Sequence, residues 1–332
     1  MTRLHRVLVV IGSRTSEDRY GVVSGNRVAE ALQRRGCNVE ITHAREGCAI
    51  LRQLLDDHPD LIVPIGFGPP CEDGHIFATA RMVGIACAGP TPAAGSLMQD
   101  KAAFSRIVDA LFPPGSGVRS PRGCVLSGKL SSEEVASRVK HLTPPFVVKP
   151  NFSGSSEGLS VVTTHFEAIA AATTLVRDEG KVLVQELEQP IAHEVSCTVL
   201  DGHEGPTFLP IVELRRDDVP VLGSEQKFGA EGFGRHIIPA RLTLDVAAHV
   251  QRVVLALHDA VGAIGLTRTD VLILPDDQIV VLEMNGIPGL LESSIACDAA
   301  RAAGISFDDL CVRYAESAFI QRAEPRIWED VR

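Results

Sequence analysis

A chain of 332 residues, 45% of them hydrophobic, holds more apolar mass than one small core can use and suits two or three lobes. Its formal charge of −10, with no basic block or Arg/Lys stripe against it, excludes a nucleic-acid surface or an anionic-membrane surface. No apolar run reaches the roughly 18 residues of a membrane span. The eight cysteines are scattered, the closest pair being Cys37 and Cys48, so a zinc knuckle is excluded and a reduced, cytoplasmic protein is expected.

From the start to about residue 95 the pattern alternates strand and helix. RVLVVIG (6–12) is an apolar run closed by Gly; it meets SRTSEDR with no cleavage-like site, so it reads as a first core strand and not a signal peptide. VVSGNRVAEALQRRG (22–36) has helical period and a Gly stop, and NVEITH, AILRQLLDDH, DLIVPIG, GHIFATARMVG and IACAG continue the alternation. Such a βαβ series predicts a parallel sheet with right-handed crossovers. A helix over 97–111 leads to FPPGSGVRSPRG, whose Pro, Gly and Ser mark a boundary.

A second unit follows, with a helix at SSEEVASRVKHL, the strand FVVKP, a Gly/Ser loop, LSVVTT, a helix from about 165 and the strand KVLVQEL. Beyond 193 the chain turns β-rich, with a hairpin turning at Asp201–Gly205. RRDDVPVLGSEQKFGAEGFGRH is a long aperiodic stretch, the kind that forms a lid or stays disordered. A helix over 243–262, strands over 265–273 and 278–283, a loop and two helices complete the chain. The expected division is 1–96, 97–187 and 188–332.

The stretch LTRTDVLILPDDQIVVLEMN places two apolar strands around the turn signal PDD. If the turn centres between Asp276 and Asp277, Asp270 faces Glu283 and Arg268 faces Asn285. Opposed residues have Cβ atoms about 4.5–5.5 Å apart, and like charges there repel. Two carboxylates and an amide oxygen on one sheet face make a poor core but a good site for Mg²⁺ shared with phosphates. In the competing reading, Asn285 merely starts a turn and Asp270 faces solvent across a slipped register.

VVKPNFSGSSEGLSVV (147–162) sets Lys149 at a strand end before Ser153, Gly154, Ser155, Ser156 and Gly158. Backbone amides and hydroxyls of such a loop can wrap a phosphate that the ammonium neutralises. It lacks the GK[ST] of a Walker A loop and the GxGxxG of a dinucleotide fold. A merely flexible loop is the competing reading.

Taken together, the chain resembles the D-alanine–D-alanine ligase branch of the ATP-grasp enzymes over nearly its whole length. The resemblance rests on FGPPCEDG (67–74), AAGSLMQDK (93–101), VVKPNFSGSSEG (147–158), HEVSCTVL (193–200), SEQKF (224–228), RTD (268–270) and EMNGIPGLLESS (283–294), in that order. It implies an α/β protein, α+β in its C-terminal half, with an N-terminal parallel βαβ domain, a central domain and a C-terminal domain. ATP would lie between the last two. The resemblance assigns Lys101 and Lys149 to nucleotide phosphates, Ser155 and Ser156 to the closing loop, and Gln185, Glu186 and Leu187 to adenine. Glu194 would bind ribose and Lys227 the γ-phosphate. Asp270, Glu283 and Asn285 would hold two Mg²⁺, with Mn²⁺ as a substitute, and Arg268 would face the tetrahedral oxyanion. Gly289, Ser294 and the amide of Ile295 would cradle the oxyanion and the second substrate's carboxylate. Partners would be small carboxylate and amine substrates, with a homodimer allowed.

Three positions depart from the family. Aligning GSRTSEDRYGVVSG puts Arg19 where the family has a Glu that meets the first substrate's ammonium, although Glu17 and Asp18 are close by. Phe228 stands where a Tyr belongs, and Phe67 replaces a His. A guanidinium cannot hold an ammonium as a carboxylate does, so a non-standard first substrate, in specialised metabolism, is the reading these residues favour. The alternatives are an authentic D-alanine–D-alanine ligase of cell-wall synthesis and a catalytically silent nucleotide-binding homologue.

Overall fold

The structure, a computed structural model, describes residues 6–13, 15, 17–154, 156–215 and 236–320. The apolar run at the start becomes β1 (Arg6–Ser13), buried along nearly its whole length. It lies between β2 (Asn38–His43) and β3 (Leu61–Phe67), and β4 (Ala86–Cys87) completes a parallel sheet of order β2-β1-β3-β4. A continuous apolar strand is what a parallel sheet covered on both faces requires. Helix α1 (Asp18–Arg34) covers one face, and α2 (Gly47–Asp56) and α3 (His75–Met82) cover the other. Gly25 lets α1 lie close to β1, because a Cβ there would meet Ile11 Cγ2 at 2.2 Å.

The helix expected over 97–111 is two helices, α4 (Pro92–Gln99) and α5 (Lys101–Leu111), broken at Asp100. Asp100 is extended and its carboxylate accepts from Ala103 N at 2.9 Å, capping α5. A sequence reading sees one amphipathic run; an N-cap inside it makes the corner. Within the expected boundary stretch, β5 (Val118–Arg119) pairs with a C-terminal strand.

The second sheet is antiparallel, of order β6-β9-β7-β8, from β6 (Gly123–Ser127), β7 (Phe146–Pro150), β8 (Ser160–Val162) and β9 (Lys181–Glu186). Capping boxes start α6 (Ser132–Val139) and α7 (His165–Glu179). Both helices pack on Phe146, Val148, Val182 and Val184. Alternation then turns Val147, Lys149 and Gln185 to the opposite face.

The third sheet runs β13-β12-β10-β14-β15-β5, with β11 (Gly205–Phe208) paired to β10 (His193–Gly202). The Gly202↔Gly205 pair closes that hairpin where the turn was expected. Strands β12 (Val212–Leu214) and β13 (His236–Ile237) form one edge. Helices α5 and α8 (Leu244–Ala260) share a core with Val195, Cys197, Val271, Val281 and Met284 of β10, β14 (Leu266–Ile273) and β15 (Ile279–Asn285). The last helices, α9 (Ile295–Ala302) and α10 (Phe307–Glu316), pack back against the face of the first sheet that α1 covers. Among the described residues no helix is long and apolar enough to cross a membrane, and all eight cysteines are free thiols.

Candidate active site

One cleft lies between the second and third sheets and reaches the C-terminal end of the first. The hairpin of β14 and β15 forms its floor with the expected pairing: Asp270 opposes Glu283 and Arg268 opposes Asn285. The route to that register differs from the expectation. Near the turn Leu272 pairs with Val280 and Ile273 with Ile279, and a bulge between Asp270 and Val271 then shifts the register. Val271 pairs with Val281 while Asp270 pairs with Glu283, so Leu282 is the extra residue. Strict alternation would put Glu283 and Asn285 on the face of Ile279 and Val281, which is core. The bulge reverses that parity and turns both polar groups to the cleft.

On this floor Arg268 grips Asp270 with two bonds, Nε to Oδ1 at 2.9 Å and Nη2 to Oδ2 at 3.0 Å. Ser196 Oγ donates to Asp270 Oδ1 at 2.6 Å from the neighbouring strand. Burial works against the guanidinium's charge, but Asp270, Glu283 and Glu72 outweigh it and raise the Arg268 pKa. Lys101, first residue of α5, lies 3.2 Å from Glu283 Oε2 and donates to Ser153 O at 2.6 Å. Asn285 Nδ2 is buried without a hydrogen-bond partner. Two carboxylates and an amide whose nitrogen does nothing for the fold suit a hard cation held through oxygen.

The corner at Asp100 registers these groups against the second sheet. Buried Asn151 accepts from Ala102 N at 2.9 Å through Oδ1 and donates to Asp100 Oδ1 at 3.0 Å. Lys181 Nζ donates to Asp100 Oδ2 at 2.6 Å. Burial alone would raise the Asp100 pKa; bonds from Lys181, Ala103 and Asn151 prevail and hold it below the usual carboxylate range. Lys149 and Ser156 line the roof of the cleft.

Gln185, Glu186, Leu187 and Glu194 also line it. The amides of Glu186 and Leu187 donate inside the fold, to Arg122 O and Pro145 O at 2.8 Å each. Gly289, Ser294 and Ile295 close the far end. Ser294 Oγ accepts from Leu291 N at 2.9 Å, which leaves the hydroxyl proton to donate elsewhere. Gly289 faces Phe67, whose Cζ would be 3.6 Å from a Cβ added there.

One expected site residue is misplaced. Arg19 is exposed, absent from the cleft wall, and donates from Nη2 to Tyr20 Oη at 2.5 Å. Glu17 faces the cleft instead. It is 8% exposed, lines the cleft, and its Oε2 would sit 2.8 Å from a Cβ on Gly154. Asp18 holds this turn, accepting from Ser13 N at 2.8 Å and meeting His43 Nε2 at 2.9 Å and Arg45 Nη2 at 2.7 Å. Spacing alone cannot see where α1 begins, and so cannot tell which of residues 17–19 faces the cleft. Ser155, Lys227 and Phe228 lie outside the described residues.

Sequence reasoning missed Glu72. Its Oε2 accepts from Gly68 N at 2.5 Å and it lines the cleft. Burial pushes its carboxyl up to about 7, with Glu17 adding and the Gly68 amide, Lys101 and Arg268 opposing. An acid within FGPPCEDG carries no local mark of burial, so only the packing reveals it. His236 was missed too; it lines the cleft and its Nδ1 lies 2.6 Å from Asp298 Oδ2.

Three sheets around a cleft floored by an acidic hairpin are the ATP-grasp fold, and the family match and curated relatives make the chain a carboxylate–amine ligase of that fold. The family model described as D-ala D-ala ligase C-terminus matches residues 125–315. The chain is 32% identical to a D-alanine–D-alanine ligase of Rhodopseudomonas palustris, over 97% of this chain and all of that one. It is 30% identical to one from Ralstonia pickettii, over 98% and 95% of the two chains. Its fold matches a Bacillus anthracis D-alanine–D-alanine ligase crystallised with ATP, with a TM-score of 0.76, 22% identity and coverage of 95% and 97%. The VanG D-Ala:D-Ser ligase of Enterococcus faecalis matches with a TM-score of 0.75, 20% identity and coverage of 95% and 100%. The chain belongs to the D-alanine–D-alanine ligase family.

Proposed function

We propose that the chain is an ATP-dependent D-alanine–D-alanine ligase that works through an acyl phosphate. The observation that carries this reading is Glu17, a carboxylate set against Gly154 in the same cleft as Arg268, Asp270, Glu283 and Asn285. The expectation of a non-standard first substrate rested on Arg19, which lies outside the cleft, and on Phe228, which lies outside the described residues. With a carboxylate in the cleft instead, a free α-ammonium is well held, and relatives at 30–32% identity carry the D-alanine–D-alanine name.

In this reading Lys101 and Lys149 neutralise the phosphates of ATP, and Gln185, Glu186, Leu187 and Glu194 flank its nucleoside. Glu17 orients the first amino acid so that its carboxylate meets the γ-phosphoryl in line. Asp270, Glu283 and Asn285 would hold Mg²⁺, which would supply charge neutralisation for the transferred phosphoryl. The second amino acid's carboxylate takes the Ser294 hydroxyl and the Ile295 amide at the start of α9. Its amine attacks the acyl phosphate, and Arg268 with the Gly289 amide stabilises the oxyanion that forms.

The test is ADP release from Mg-ATP with D-alanine, with mass detection of the condensed product. The expected result is D-alanyl-D-alanine with one phosphate per bond. Phosphate release that D-alanine fails to stimulate, while another carboxylic acid does, overturns the substrate assignment.

A further inference from the structure

We propose that Glu72 accepts the proton that the incoming amine must lose before it attacks the acyl phosphate. The proposal deepens the ligation reading above and rests on it. Glu72 follows β3 and forms part of the cleft wall together with Phe67. One oxygen is tied to Gly68 N at 2.5 Å, which fixes the carboxyl, and the other makes no hydrogen bond with the described residues. That wall faces the Gly289–Ser294 segment, since Phe67 Cζ comes within 3.6 Å of a Cβ on Gly289. The second amino acid, held by Ser294 and Ile295, therefore lies against the wall that Glu72 belongs to.

Glu186 and Glu188 are tied up by Thr143 N and Arg119, and Glu157 lies on the roof loop; the carboxylates nearer the reacting groups have work as well. Glu17 holds the first ammonium, Asp270 is gripped by Arg268 and Ser196, and Glu283 meets Lys101. Glu194 lies on β10, on the nucleoside side. Phe67 carries no proton-accepting group. The groups facing Glu72 are Glu17 from the turn before α1, Lys101 from α5 and Arg268 from β14; Cys71, Asp73 and Tyr314 lie near. Burial among them brings its carboxyl to about 7, the range in which a general base is both ionised and basic enough to work.

The step balances. Glu72 takes one proton from the ammonium and becomes a carboxylic acid. The freed lone pair forms the C–N bond to the acyl carbon, and the C–O bond to phosphate breaks with its electron pair leaving on phosphate. Phosphate takes the second nitrogen proton, and Glu72 returns its proton to water.

Hydroxylamine tests this, because it is uncharged at neutral pH and needs no deprotonation before attack. Glu72→Gln is expected to slow condensation with D-alanine by about 10²-fold or more. Hydroxamate formation by the same variant should stay within roughly threefold of wild type. Glu72→Asp should recover part of the D-alanine rate, and the acid limb of the wild-type kcat profile near pH 7 should be absent in Glu72→Gln. Parallel loss of both reactions, or an unchanged D-alanine rate, overturns the proposal. If wild type ignores D-alanine but activates another acid, the substrate reading fails alone, and the Glu72 comparison is made with that acid and its amine.

Discussion

Asp270 and Glu283 stand directly opposite each other across β14 and β15, and a single extra residue, Leu282, puts them there. One strand thus serves two masters: Ile279, Val281 and Met284 fill the core, while Glu283 and Asn285 face the cleft. No strictly alternating strand does both. Two acids so placed repel each other, and Arg268 and Lys101 offset that repulsion.

Glu283→Gln removes one of the opposed charges and leaves the register intact. We expect a loss of kcat of about 10²-fold or more, since charge stabilisation of the transferred phosphoryl carries most of this chemistry. The melting temperature should hold or rise, because like-charge repulsion is relieved. Steady-state ADP release across a Mg²⁺ titration, beside a thermal melt, checks both.

Glu17→Gln and Arg19→Ala separate the structural placement from the alignment by spacing. Loss of the buried charge partner of an ammonium costs about 2–3 kcal/mol, or roughly 30–150-fold in KM for the first amino acid. Arg19→Ala should change KM by less than about threefold, as an exposed surface substitution does. The reverse ranking would restore Arg19 to the site.

Asn151→Ala leaves the buried Ala102 amide without its acceptor and loosens Asp100. The expected cost is about 1–3 kcal/mol in stability. KM for ATP should rise while KM for D-alanine holds, because Lys101 follows Ala102 out of register. Denaturant unfolding and a KM comparison for the two substrates decide it.

Glu213, buried on β12, accepts from Arg241 N at 2.9 Å and Arg241 Nη2 at 2.7 Å, and meets His193 Nδ1 at 3.0 Å. Burial opposes its charge, but Arg241 and His193 bring its carboxyl down to about 2. A depressed pKa contributes stability that is full above the unfolded value, near 4.5, and is lost as pH falls toward 2. Arg241 is open to solvent, so screening keeps the effect modest. Glu213→Gln should therefore melt below wild type at pH 7, and the gap should close between pH 4.5 and 2.

Most of the strands and helices, and the facing of Asp270 on Glu283, were legible because their signals are local: period, caps and a turn; the short strands β5, β6 and β13 carried no such signal. The resemblance by ordered motifs named the family for the same reason, since each motif is a short run whose chemistry needs those residues. Even so, the hairpin register emerged from a turn centred half a residue off and a bulge that restored the pairing, and no periodicity reveals a bulge. The break at Asp100 was hidden in an unbroken amphipathic run, because an N-cap looks like any polar residue until Ala103, Asn151 and Lys181 converge on it.

What the chain alone determined was the order of its elements and the inventory of acids, lysines and glycines at their ends. That Glu17 lines the cleft while Arg19 lies outside it was decided by where the turn before α1 ends and by its packing against Gly154. That Glu72 sits in a cleft with its carboxyl at about 7 was decided by burial beside Glu17, Lys101 and Arg268. Burial and proximity between segments two hundred residues apart are properties of packing, and packing is the one quantity that no local pattern in a chain carries.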